Sequence, residues 1–146
     1  MFKKFRKNEK GFTLAELLIV VAIIGVLVAI SIPIFTAQLK KARLATNQAN
    51  ARAAYAAATT QYMLDYDDTT PTAGVSYVYD VSTGKLGTVN KTPGTVTITK
   101  TDISSWTEAD KAGDTALGDK TANSWEVVLK EDGSINGYIP TFPTKK

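Results

Sequence analysis

From Leu17 to Leu39 the chain holds 23 consecutive residues without a formal charge. As a helix rising about 1.5 Å per residue, that run reaches roughly 34 Å, enough to cross a hydrocarbon core of about 30 Å. The first forty or so of the 146 residues are thereby set apart as a leader and a membrane-spanning length. The remainder suffices for one small water-soluble head whose core leans on the helix. Glu16 stands immediately before the run. A charge costs about 2.5–3.5 kcal/mol at mid-membrane and less near an interface, so this carboxylate asks for a partner cation.

Charge is distributed unevenly along the chain. The segment 1–11 carries Lys3, Lys4, Arg6, Lys7 and Lys10 against Glu9 alone, which leaves 12 basic and 13 acidic side chains for the rest. Lys40, Lys41, Arg43 and Arg52 cluster just past the apolar run, and beyond Arg52 there are 8 basic and 12 acidic residues. A mildly acidic head argues against a nucleic-acid surface built on a basic field. With no cysteine there is no disulfide staple or thiol chemistry, and with no histidine the commonest general base and metal ligand is missing.

Basic residues ahead of an apolar helix hold that end in the cytoplasm. The cluster at Lys40, Lys41 and Arg43 opposes this with less charge, so the amino terminus is expected inside and the head outside. A conventional secretory signal cut at the small-x-small site Ala29-Ile30-Ser31 is one competing reading. A simple anchor for an extracellular domain is another. Both leave Glu16 without a role, and the apolar stretch continues past such a cut through Ile32-Pro33-Ile34-Phe35.

The leader Met1–Gly11, the following Phe12-Thr13-Leu14-Ala15-Glu16 and the apolar helix together resemble the amino terminus of type IV pilins and pseudopilins. Ala15 departs from that pattern, where a larger aliphatic residue is commoner. The likeness is dense to about residue 40, looser to about 64 and absent beyond. It implies cleavage by a prepilin peptidase between Gly11 and Phe12, methylation of the new Phe12 amine, and pairing of Glu16 with the Phe12 amine of a neighbouring subunit. Breaking such a pair in a low-dielectric setting strands a charge, so it rewards axial register more than it adds bulk affinity. Gly25 and Pro33 fall where the family carries helix-weakening residues. Pro33 cannot donate to the carbonyl of Ala29, and the resemblance implies that this segment unwinds when subunits pack. The family's secretion members bind calcium in a carboxy-terminal loop. Asp110, Asp114 and Asp119 are the candidates here, with unconvincing spacing. A disulfide-closed carboxy-terminal loop, common among pilins, cannot form.

Four segments are expected: a leader at 1–11, an apolar transmembrane or filament-core helix at 12–39, its amphipathic continuation at 40–64, and a β-sheet head at 65–146. In the second helical segment, Leu39, Ala42, Ala45/Ala49, Ala53, Ala56/Ala57, Thr60 and Met63/Leu64 recur at three- and four-residue intervals, a weak stripe read as packing for the sheet. Continuous helix from Phe12 to Leu64 spans about 80 Å. Asp65 to Gly74 breaks it, an acidic turn whose spacing matches no complete calcium ligand set. Val75–Val81 alternates as a strand, with Val75, Tyr77, Tyr79 and Val81 on one face, and Ser82-Thr83-Gly84 turns into a short return strand at 85–89. Thr95–Thr99 is β-branched and reads as strand. Ser105-Trp106-Thr107-Glu108 has capping-box spacing for a helical turn through Ala112, with loop at 113–123. Trp125–Leu129 and Ile135–Ile139 flank a hairpin at Glu131-Asp132-Gly133-Ser134. The fold class is therefore α+β, a long amino-terminal helix with a small antiparallel sheet of about four strands packed on its distal half.

No nucleophile–base pair, metal-ligand spacing or phosphate loop converges, so an enzyme is not expected, nor is any cofactor or metal. The resemblance implies a prepilin that waits as a single-pass membrane protein with a cytoplasmic amino terminus and then joins an extracellular helical filament. Its partners are its own copies, the peptidase, the membrane and the assembly machinery. The alternative is a pseudopilin of a type II-like secretion or competence DNA-uptake machine.

Overall fold

The computed structural model describes residue 11 and residues 13–65, 74–90 and 92–144. The leader through Lys10, Phe12 and the acidic stretch 66–73 lie outside the described residues. The chain divides into two units, Met1–Ala37 and Gln38–Lys146.

In the first unit the described chain is helical from Leu14, where α1 (Leu14–Asp65) begins. Every residue from Leu14 to Gln38 is exposed. By length and composition α1 is apolar and long enough to cross a membrane. The helix runs unbroken through Gly25 and Pro33. Ser31 and Thr36, polar residues within the run, turn their hydroxyls inward and donate to the carbonyls of Leu27 (2.7 Å) and Pro33 (2.9 Å). Their polarity is thus spent on the backbone rather than on the surroundings.

In the second unit the sheet packs against α1. Strands β1 (Val75–Asp80), β2 (Lys85–Asn90), β5 (Ser124–Leu129) and β6 (Ile135–Thr141) form an antiparallel sheet in the order β2-β1-β5-β6. A two-stranded ribbon of β3 (Lys111–Ala112) and β4 (Thr115–Ala116) stands apart. Alternation places Tyr77, Trp125, Val127, Leu129 and Tyr138 in the core, with Tyr79 and Val81 partly buried against it. Across this face α1 presents Ala51, Ala54 and Ala58, each fully buried, with Tyr62 at the end. The alanines offer little volume of their own, and aromatic rings from the head fill the core against them. Trp106 stacks on Trp125 with centroids 5.5 Å apart, and Tyr138 meets both edge-on at 5.1 and 6.3 Å.

Three local expectations are corrected. The stripe from Ala42 through Ala45, Ala49, Ala53, Ala56 and Thr60 to Met63 and Leu64 is the exposed side of α1, and the buried row is 47, 51, 54, 58, 62 instead, of which Ala51, Ala54, Ala58 and Tyr62 join the core with the sheet. Small residues surround this helix, so periodicity had little amplitude from which to choose a face. Thr95–Thr99 forms no strand but one bridge, in which Ile98 and Tyr138 exchange two backbone hydrogen bonds of 3.0 Å. Ser105 starts no helix: a 3-10 turn at Ile103–Ser105 is capped by Asp102 and ends where Trp106 turns extended and buries its ring.

Candidate assembly interface

Helix α1 opens on a reciprocal cap. Thr13 accepts the first helical bond from the Leu17 N–H at 3.2 Å. The Thr13 N–H donates to Glu16 Oε2 at 2.9 Å, and the Glu16 N–H donates to Thr13 Oγ1 at 3.3 Å. This is a capping box, which satisfies two of the donors orphaned at a helix start and sets a carboxylate against the positive end of the helix dipole. The Thr-x-x-Glu spacing was visible in the sequence, although the resemblance drew attention to the charge of Glu16 rather than to its cap. Gly11 is exposed. Phe12, the predicted site of processing, methylation and pairing, lies outside the described residues, so its amine and Glu16 are not placed together here. An alanine Cβ at Gly25 would meet nothing within 4 Å, so that glycine is not required by close packing within the chain.

The next feature is a polar clamp. Asn47 is fully buried. Its Nδ2 donates to the carbonyls of Leu117 (2.9 Å) and Lys120 (2.8 Å), while its Oδ1 accepts from the Ala122 N–H at 3.0 Å. One turn earlier, Arg43 Nη1 donates to the Asp119 carbonyl at 2.7 Å, and Lys40 Nζ lies 3.3 Å from Asp119 Oδ1. Successive turns of α1 therefore hold the 117–122 loop. Sequence reasoning missed Asn47. The signal was a lone carboxamide in register with Ala51, Ala54, Ala58 and Tyr62 on an otherwise apolar face. At the far end, the Tyr62 hydroxyl donates to the Glu131 carbonyl at 2.6 Å, which ties α1 to the β5–β6 turn.

Of the three calcium candidates, Asp110 and Asp119 are engaged by other groups. Asp110 accepts from Lys100 Nζ at 2.7 Å and from the Thr107 N–H at 2.7 Å. The Lys100 ammonium, with the Thr107 donors, holds its carboxyl below the usual range. Asp119 pairs with Lys40. Among the described residues no group of three or more acidic side chains is gathered as a metal would require. Asp80, Asp102 and Asp132 each accept from a serine two residues on, whose hydroxyl and N–H lower the carboxyl's affinity for protons. These are turn and cap contacts.

An exposed apolar amino-terminal helix followed by a small antiparallel sheet defines a pilin-like α+β architecture. The family description "prokaryotic N-terminal methylation motif" matches residues 6–32. The chain is 53% identical over 57 residues to the type IV narrow pilus major component PilA5 of Thermus thermophilus, covering 37% of this chain and 49% of that one. It is 44% identical over 54 residues to the type IV major pilin PilA of Myxococcus xanthus, covering 37% and 24%. It is 53% identical over 37 residues to the fimbrial protein EcpB of Eikenella corrodens, covering 25% and 23%. The matches thus span half or less of each relative's length. No solved structure matches the chain. The motif and these relatives thus make the amino-terminal part of the chain similar to type IV pilins.

Proposed function

We propose that this protein is the structural subunit of a type IV pilus, made as a prepilin, cleaved after Gly11, methylated on Phe12 and assembled into a helical surface filament through its apolar helix. The observation that carries the proposal is the methylation motif over residues 6–32, coincident with a helix whose whole surface is exposed from Leu14 to Gln38. Exposed large apolar residues at this density need a lipid or protein solvent. A membrane serves the precursor, with the basic leader held in the cytoplasm, and neighbouring copies serve the filament. Its partners are then a prepilin peptidase, the membrane and the assembly machinery, and its role is mechanical rather than catalytic.

In this reading Glu16 changes partners. In the single chain its carboxylate caps α1, and on assembly it meets the Phe12 amine of an adjacent copy, offsetting two charges that would otherwise be stranded in an apolar core. Mass spectrometry of the mature chain tests the proposal: it should begin at Phe12 with one methyl on the α-amine. A chain beginning at Ile32 overturns it. Surface filaments built mainly of this chain distinguish a pilus from the short fibre of a pseudopilin machine, which uses the same amino terminus.

A further inference from the structure

We propose that Lys40, Lys41 and Arg43 form a collar that binds the phosphates of anionic phospholipid headgroups while the protein waits in the membrane. The inference rests on the membrane-precursor reading above and adds a ligand class to it. The 23 uncharged residues ending at Leu39 fill the hydrocarbon, and the three cations follow within one helical turn. That turn rises about 6 Å. The headgroup layer on each side of a bilayer is about 5–7 Å deep, so the collar and the phosphates share one depth.

The contacts within the head leave this charge available. Lys40 is paired with Asp119, but their side chains are 55% and 52% exposed. A pair in that setting is held by no more than about fivefold, and a phosphate can exchange for the carboxylate. Arg43 spends one donor on a backbone carbonyl and has no ion pair among the described residues. Lys41 is exposed and has no ion pair among the described residues. Asp119 can neutralise one cation of three. Beyond Arg52 the chain is net acidic, so the rest of the head repels an anionic surface and the attraction is confined to the collar.

The test uses the full chain in nanodiscs of equal phosphatidylglycerol and phosphatidylcholine, with retained lipids identified by native mass spectrometry and insertion checked by resistance to alkaline extraction. The basic leader contributes the same background in every variant. Lys41→Gln should lower the retained phosphatidylglycerol attributable to the head side about fivefold. The triple change of Lys40, Lys41 and Arg43 to Gln should reduce retention to the leader's background. Asp119→Asn, which frees Lys40 and leaves the carbonyl contact to Arg43, should raise retention, and high salt should weaken the preference throughout. Inserted Lys41→Gln and triple variants that retain phosphatidylglycerol as the parent does overturn the collar alone. A chain that inserts in no bilayer overturns the collar and the precursor reading together.

Discussion

Thr13 and Glu16 close the start of α1 on each other, the main-chain N–H of each donating to the side chain of the other. A single carboxylate thus serves a local task in the isolated chain and, in the proposed filament, a second task between chains. Two substitutions separate the tasks. Thr13→Ala removes the hydroxyl acceptor and should cost the helix start about 0.5–2 kcal/mol, seen as fraying of the first turn, while filaments still form. Glu16→Gln keeps a capping-box acceptor and loses the charge, so helicity should persist while incorporation into filaments fails. Normal filament yield from Glu16→Gln would remove the pairing model.

Asn47 is the polar centre of the contact between α1 and the 117–122 loop. Replacing it with Leu leaves two carbonyls and one N–H without their partner in a buried place. The expected loss is about 2–4 kcal/mol, read as a lowered midpoint of chemical unfolding of the full chain in detergent. Asn47→Asp should also destabilise, because a carboxylate offers no donor to Leu117 or Lys120. A midpoint unchanged by Asn47→Leu would show that the clamp contributes nothing net.

Gly133 stands at φ 76° in the β5–β6 turn, and a Cβ there would lie 2.8 Å from the Tyr62 ring. Gly133→Ala should therefore strain the turn and push Tyr62 from its hydrogen bond with Glu131. The check is hydrogen exchange: amides near Lys130 and Ser134 should lose protection while those of the β1–β2 turn keep theirs. Equal protection in both proteins would show that the turn has room to adjust.

Tyr77 is 1% exposed, and burial, followed by the negative charge of Asp65 near its hydroxyl, pushes its phenol up to about 12. The folded state thus binds this proton more tightly than the unfolded chain, whose tyrosines titrate near 10. Its contribution is complete below pH 10 and is lost as pH rises toward 12. Alkaline unfolding should set in across that window, and Tyr77→Phe should flatten the decline. A parent whose stability is level from pH 9 to 12 would contradict the burial of this hydroxyl.

How much of this was legible follows from which signals are local. The two hairpins of the main sheet were readable because alternation and turn chemistry sit side by side in the chain. Asp80 receives the N–H groups of Ser82 and Thr83, and Asp132 that of Ser134, each within three residues. What stayed hidden was non-local. The pairing of β1 with β5 joins Val75 to Leu129 across more than fifty residues, and nothing in either segment announces the other. The face of α1 that takes the sheet was misread because alanine on all sides carries no contrast. The β-branched run at 95–99 meets the edge of β6 through the Ile98–Tyr138 bridge and a 3.3 Å bond from the Thr97 N–H to the Tyr138 carbonyl, too little for a strand; a Cβ on Gly137 would lie 2.5 Å from the Ile98 carbonyl oxygen, which shows how closely the two backbones pass there. At the helix start the residues were found and the cap was not.

The strand order carries a consequence for biogenesis. β5, which supplies Trp125, Val127 and Leu129, lies between β1 and β6, and among the described strands it is the second-to-last in chain order. Until those last two strands emerge, β1 and β2 have one another and no centre to close upon. A chain without Ser124–Thr141 therefore keeps its complete apolar helix and loses the middle of its sheet, so the segment that can enter a membrane is finished well before the strand that closes the head.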